Sequence, residues 1–341
     1  MSLLQADEQT LELLEKTKWK RVGKTLIKDW RLYILLVPMI AFLILFKYLP
    51  IYGVLQAFKE YDSSSSVMDM KWQGILNFKK MFNNNTDVGI EFWRAFRNTF
   101  VNSMYGLLFG FPIPIFIALL FTEIKNGTVR SIVQVCVYLP KFLSTVIMCS
   151  IITVWFTAYA KSGLNTFQSG LFQRIFELLH MVPRDADGHG TVSALRLPKY
   201  FRLIYQVSGV WEGAGYGSIV YFAAALSIDP TSYEAAKIDG ASKLQQIRYV
   251  TLPGMTSTVT IMLIIRIGQI LNVGYEKVLL LYNSSTYETA DVISTWVRRK
   301  ADTYSENPLG VAGDLMNSII AMCLVLGANA ISRRVSTTSL F

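Results

Sequence analysis

Apolar and polar residues alternate along this chain in long blocks. Six apolar runs, roughly 32–57, 97–121, 131–156, 203–227, 254–280 and 313–331, are separated by polar segments. A helix needs about 20 residues to cross a hydrocarbon core of about 30 Å, so the pattern predicts six membrane-spanning helices. The cleanest part of the first run, Leu32 to Phe46, covers only about 22 Å at 1.5 Å per residue. That helix must therefore continue past Lys47, whose long stem lets its ammonium snorkel outward. Pro112 and Pro114 predict a kink in the second span and Pro140 one in the third. Kinks free backbone groups that need new partners, and such places often border cavities.

The polar segments differ in kind. Residues 10–31 mix Leu11, Leu14, Val22, Leu26 and Trp30 with Lys16, Lys18, Lys20, Arg21, Lys24 and Lys28, which suits either a basic amphipathic helix on an anionic cytoplasmic surface or an unstructured tail. Seven Lys/Arg within residues 1–31 place the N-terminus inside, and six spans return the tail at 333–341, with Arg333 and Arg334, to the same side. The short loop Glu123–Arg130 then falls inside as well. The outer segments, roughly 58–96, 157–202 and 281–312, are long. Asn77–Phe82 and Leu171–Leu179 read as short amphipathic helices within them, and Asp185–Gly190 as a loop.

The segment 230–253, between the fourth and fifth spans, has an internal design of its own. Asp229 is a good N-cap and Pro230 suits the first helical position. Ala235, Ile238, Ala241 and Leu244 recur at three-residue spacing, giving one narrow apolar stripe. Gly240 sits where a helix bends or ends, and Pro253 closes the segment before the next run. The segment predicts a short structured element that presses an apolar face into another protein.

Composition narrows the class. The chain of 341 residues is 52% hydrophobic and 17% charged, with mean hydropathy +0.35. Soluble proteins average about 25% charged residues, so this is an integral membrane protein. The net charge of +9 is spread over flanks and loops rather than gathered in one stripe, which speaks against nucleic-acid binding. Cys136, Cys149 and Cys323 lie within apolar runs and read as small buried hydrophobes. His180 and His189 lack ligand spacing, so no metal site is expected. No cleavable signal peptide is expected, because some thirty polar residues precede the first run.

No catalytic constellation is evident, and neither G-x-S-x-G nor H-E-x-x-H occurs. Gly23-Lys24-Thr25 lacks the upstream glycine of a phosphate loop, Lys18 standing in its place, so no cofactor is expected in this chain. The charges within the runs need another explanation. Lys47, Glu276 and Lys277 are expected near the outer interface, while Lys141 lies within the third run. Glu212 and Arg266 either line a pathway, pair with each other or serve the packing. Gly209, Gly213, Gly215 and Gly217 stand beside Trp211 and Tyr216. The glycines suit close helix packing, and the aromatic rings suit either packing or the apolar face of a sugar. On the fifth run Arg266, Gln269 and Asn272 are three apart and share one drifting helical face, which must meet protein or a wet cavity.

The spacing Glu234-Ala235-Ala236, Asp239-Gly240-Ala241 and then Leu252-Pro253 resembles the cytoplasmic coupling loop of permease subunits in bacterial ATP-binding-cassette importers. Trp72, Gly74 and Asn77-Phe78 are similar to the W-x-G-x-x-N-F element before the second span of sugar-importer permeases. Arg97-Asn98-Thr99, Trp211-Glu212-Gly213-Ala214-Gly215-Tyr216, Tyr282-Asn283 and Asn329 with Arg333-Arg334 extend the resemblance to residues 30–335, toward the branch importing complex carbohydrates. Pro183–Leu197 departs from it, so a docking surface for a binding protein is not carried over.

The resemblance implies an all-α permease of the type I importer fold: a basic amphipathic segment 1–31, a six-span domain 32–332 and a cytoplasmic tail. It would lie in the bacterial cytoplasmic membrane with both termini inside. Partners implied are a second homologous permease, two cytoplasmic ATPase subunits that carry ATP and Mg, an extracytoplasmic solute-binding protein and an oligo- or polysaccharide. Glu234, Ala235, Ala236, Asp239, Gly240, Ala241, Leu252 and Pro253 would couple to the ATPase. Asn98, Trp211, Glu212, Tyr216, Arg266, Gln269 and Asn272 would serve the substrate pathway. The rivals are an ion-coupled secondary transporter, which would need acidic relays or repeated broken spans, a permease of the same type for a non-sugar solute, and a receptor without transport.

Overall fold

The computed structural model describes residues 28–62, 66–158, 160–162, 165–167, 169–185, 190–269, 274–303 and 307–335. Most of the basic N-terminal segment, the last six residues, His189 and Asn272 lie outside that set. The chain divides into two units, Met1–Gln56 with Ser66–Asp69, and Ala57–Ser65 with Met70–Phe341. The first unit holds α1, Trp30–Leu43, which winds on as a π-helical stretch Ile44–Tyr48 and then a tight 3₁₀ stretch Leu49–Phe58 that crosses into the second. Helix continues past Lys47, as the length of the apolar run required. Pro50 has no N–H to donate, and the winding changes pitch beside it.

Among its described residues the regular structure of the second unit is helical, apart from one hairpin and two isolated bridges, Lys59 with Trp72 and Arg184 with Gly190. Its helices are α2 (Leu76–Phe82), α3 (Asp87–Gly110), α4 (Pro112–Glu123), α5 (Gly127–Tyr138), α6 (Thr145–Trp155), α7 (Leu171–Leu178), α8 (Pro198–Leu226), α9 (Pro230–Ile238), α10 (Lys243–Gln246), α11 (Thr256–Gly268), α12 (Tyr275–Leu281), α13 (Tyr287–Ala290), α14 (Ile293–Asp302) and α15 (Asn307–Val335). The hairpin pairs β1 (Ala160–Ser162) antiparallel with β2 (Asn165–Phe167), Ala160 opposite Phe167.

Among the described residues, Trp30–Phe58, Asp87–Glu123 and Asn307–Ala330 are long and apolar enough to cross a bilayer. Two bent pairs bring the count to five: Gly127–Phe142 with Thr145–Trp155, at 96°, and Lys243–Gly254 with Thr256–Gly268, at 65°. The expected fourth span is α8, whose 29 residues reach about 43 Å but carry more polar groups.

Two of the expected spans are not continuous. The third breaks at the 3₁₀ turn Leu139–Phe142, where Pro140 cannot donate a helical hydrogen bond, and Ser144 then caps α6 by accepting from the Ile147 N–H. The fifth ends at Gly268, and a separate short helix, α12, starts after Gly274. Arg266 therefore lies in α11 while Gln269 stands just outside it as the C-cap, and the third member of the expected face, Asn272, falls outside the described residues.

Three apolar clusters hold the second unit. One gathers Cys149 and Ile152 of α6, Phe201 and Ile204 of α8, Val278 and Leu281 of α12, and Val292. Another sets Met81, Phe92 and Ala95 against Ile293, Trp296 and Leu309, so α14 and the start of α15 cover α2 and α3. The third, Ala118, Tyr221, Ala225 and Met255, joins α4, α8 and the start of α11. Of the four glycines on α8, Gly215 is the close-packing one: a Cβ there would run into the Val137 carbonyl of α5. Gly213 faces open space, and Gly217 meets Pro114 at ordinary contact distance.

Candidate coupling element and translocation face

The 230–253 segment folds as its sequence requires. The Asp229 carboxylate accepts from the Thr231 N–H at 2.9 Å and caps α9, and that hydrogen bond holds its pKa below the usual carboxylate value. Glu234, Ala235 and Ala236 lie in α9 and Asp239 ends it. Gly240 follows with φ of +75°, a left-handed conformation that disfavours any residue with a Cβ. Its N–H donates to the Lys237 carbonyl at 3.1 Å and the Ala241 N–H to that of Ala236 at 2.9 Å, the paired bonds of a Schellman turn. Ser242 and Gln245 form a capping box that starts α10. A π-helical turn, Ile247–Thr251, leads to Leu252 and Pro253 and so into α11.

The corner is rigid within and bare outside. Tyr233 and Thr251 hydroxyls meet at 3.0 Å, and the Gln246 amide donates to the Ala241 carbonyl at 2.9 Å. Ile238 is 87% and Leu244 78% exposed, with Ala235 exposed beside them. Among the described residues, three of the four positions of the predicted apolar stripe, Ala235, Ile238 and Leu244, are therefore exposed, and Ala241 is half-buried. Lys243 pairs with Glu123 at 3.1 Å, placing the corner and the end of α4 on one side of the domain, as their shared assignment to the inner loops requires.

The opposite end is held by polar contacts. Asn77 is buried and donates to the Ala57 and Lys59 carbonyls at 3.0 and 3.1 Å, while Trp72 stacks on Phe58 and Gly74 takes φ of +62°. These contacts are the physical content of the W-x-G-x-x-N-F spacing. Asn98 is fully buried, donates to the Glu288 and Asp291 carbonyls at 3.0 Å each and accepts from Arg202 at 2.8 Å. Within this chain Asn98 thus locks the outer cover to α3 and α8. Buried Asp291 takes Arg299 bidentately at 2.8 and 3.1 Å. Burial works against the Arg299 charge, but Asp291 and Glu91 outweigh it and raise its pKa. Gln173, itself buried, donates to the Val192 carbonyl and accepts from the Ala194 N–H, fastening part of the unfamiliar 183–197 segment to α7.

Midway along α8 lies the charged group that the sequence did not resolve. Glu212 does not pair with Arg266. Its carboxylate meets Lys277 of α12 at 3.2 Å and Lys141, in the turn between α5 and α6, at 3.5 Å. Lys277 is not at an open interface: it is 7% exposed and its ammonium lies over the Tyr205 ring. Trp211 is 41% and Tyr216 48% exposed. Trp211 packs on Trp155 at 5.5 Å and Tyr216 meets Phe142 edge to face at 6.0 Å. Arg266 and Gln269 are both exposed, the guanidinium lying beside Gly110 and unpaired by any carboxylate among the described residues. A mostly apolar cavity of about 290 Å³ between α6 and α12, lined by Val146, Cys149, Ser150, Thr153, Val154 and Leu280, involves none of the pathway candidates.

The second unit is thus a helical domain with broken apolar spans and one exposed, well-ordered corner. Residues 110–336 match the family described as binding-protein-dependent transport system inner membrane component, and the chain belongs to that family. It is 33% identical to protein LplB of Bacillus subtilis over 314 residues, 92% of each chain. It is 30% identical to YteP of the same organism, a polygalacturonan/rhamnogalacturonan transport system permease protein, over 94% of each. Among solved structures it superposes with TM-score 0.79 and 36% identity, over 93% of its length and all of the other, on a chain of a bacterial ABC transporter that imports the acidic polysaccharide alginate. A second structure of a bacterial alginate transporter, in complex with an alginate pentasaccharide-bound periplasmic protein, matches at TM-score 0.79 over 94% of this chain.

Proposed function

We propose that this chain is a permease subunit of an ATP-driven importer and forms half of the translocation pathway for an oligo- or polysaccharide delivered by an extracytoplasmic binding protein. The observation that carries the reading is the whole-length likeness to a chain of the alginate importer. The exposed Ile238–Leu244 corner supplies the contact for a cytoplasmic ATPase, and a second homologous permease supplies the other half of the pathway. Both termini lie on the cytoplasmic side with the corner.

Movement of the ATPases would reach the spans through the corner along two routes. One is the rigid chain from α10 through Pro253 into α11. The other is the Lys243–Glu123 pair, which ties the corner to α4, itself packed along α8. The ion-coupled alternative fits less well, because Glu212 is committed to two ammonium groups rather than standing in a relay. Reconstitution tests the reading. Proteoliposomes with both permeases, the ATPases and the binding protein should accumulate labelled oligosaccharide on addition of ATP. This chain alone should neither hydrolyse ATP nor accumulate sugar, and ion-driven uptake by it alone would overturn the proposal.

A further inference from the structure

The Glu212 site holds one carboxylate and two ammonium groups, and the two are not equivalent. The Lys277 and Glu212 side chains are 9% and 18% exposed and 3.2 Å apart, a buried pair that is neutral by itself. Lys141 is the surplus cation. It reaches the same carboxylate at 3.5 Å with its side chain 46% exposed. Because Lys277 already balances Glu212, Lys141 can leave it for a second carboxylate without stranding a charge.

The surroundings of Lys141 narrow what that carboxylate belongs to. Lys141 sits at the 96° break between α5 and α6, where the spanning helix is interrupted. Interrupted backbone at membrane depth is tolerated where it is buried in protein or lines a water-filled cavity. An exposed ammonium on a lipid face is costly. Beside it in sequence is Phe142, 74% exposed, whose ring meets that of Tyr216, 48% exposed, edge to face. Aromatic faces suit the C–H faces of sugar rings, and an unbalanced ammonium suits a carboxylate. A neutral sugar would offer Lys141 no charge in exchange for its share of Glu212, which Lys277 already balances.

Resting on the reading of the chain as a carbohydrate permease, we propose that the cargo is an acidic, uronate-bearing oligosaccharide and that Lys141 binds its carboxylates as they pass the break. The test uses the full reconstituted complex, comparing wild type, Lys141→Gln and Lys141→Arg. The probes are tetramers of galacturonate and of mannuronate, each with its carboxyl-reduced neutral counterpart. Wild type should take up an acidic tetramer, Lys141→Gln should lower that uptake about tenfold, the scale of one lost hydrogen bond to a charged group, and Lys141→Arg should retain most of it.

Wild-type uptake of the neutral probes alone overturns the acidic-cargo inference and leaves the carbohydrate permease standing. Undiminished acidic uptake by Lys141→Gln removes Lys141 from the pathway. Loss of the second permease from the purified Lys141→Gln complex assigns the residue to assembly and also overturns the proposal. Failure of every carbohydrate, acidic and neutral, refutes the underlying reading of function.

Discussion

Replacing Gly240 by valine tests the coupling corner through its backbone. At φ of +75° a residue with a Cβ costs about 1–2 kcal/mol, and a β-branched one more. No atom lies within 4 Å of where a Cβ would stand, so within this chain the penalty is conformational rather than steric. The turn is closed by two hydrogen bonds, Gly240 to Lys237 and Ala241 to Ala236, each worth about 1 kcal/mol net. Strain and restraint are therefore of equal size, and Gly240→Val should open the corner and displace Ile238 relative to Leu244. Gly240→Asn, which tolerates the left-handed region, should cost much less, with Gly240→Ala between. The assay is ATP hydrolysis stimulated by loaded binding protein, and sugar uptake, in complexes of verified composition. Coupling should fall in the order Gly, Asn, Ala, Val. Wild-type coupling in Gly240→Val would refute the reasoning. Equal loss in Asn and Val would also refute it, by placing the requirement in close approach of a partner.

Glu212→Gln strands buried Lys277 and should lower thermal stability, by an unfolding cost of about 3 kcal/mol, whereas Lys277→Met leaves Glu212 with Lys141 and should cost less; detergent melting curves give the order, and the reverse order contradicts the pairing. Gly215→Leu should separate α8 from α5 and abolish assembly, while Gly213→Ala, in open space, should leave the yield of folded complex unchanged. Asn77→Ala deprives two carbonyls of their donor, at about 1–3 kcal/mol, and should speed limited proteolysis within 57–76.

The fold of the 230–253 corner was legible because its signals are local: Asp229, Pro230, Gly240 and Pro253 each dictate backbone conformation within a turn of themselves. The apolar runs were legible for the same reason. The charged centre was not. Glu212 pairs with groups 65 and 71 residues away, and no periodicity or spacing encodes which lysine folds back onto which carboxylate. Arg266 was an equally plausible partner by charge, and Lys277 near a span end gave no sign that α12 would turn it inward over Tyr205. Pro140 announced a kink, but its size depends on packing of α6 against α12 far along the chain. Asn98 was recognisable as part of a motif, yet its role as a lock follows only from the return of residues 288–291 to α3.

Cross-linking at the corner tests the central claim most directly. Ile238→Cys and Leu244→Cys, at the two most exposed apolar positions of the corner, are placed in the assembled complex with ATPase subunits carrying cysteines around their permease-facing grooves. The account predicts an oxidant-induced adduct between this chain and the ATPase, with a yield that changes with nucleotide, and none from Cys at Phe142 at the break between α5 and α6. No adduct from either corner position in any nucleotide state would contradict it.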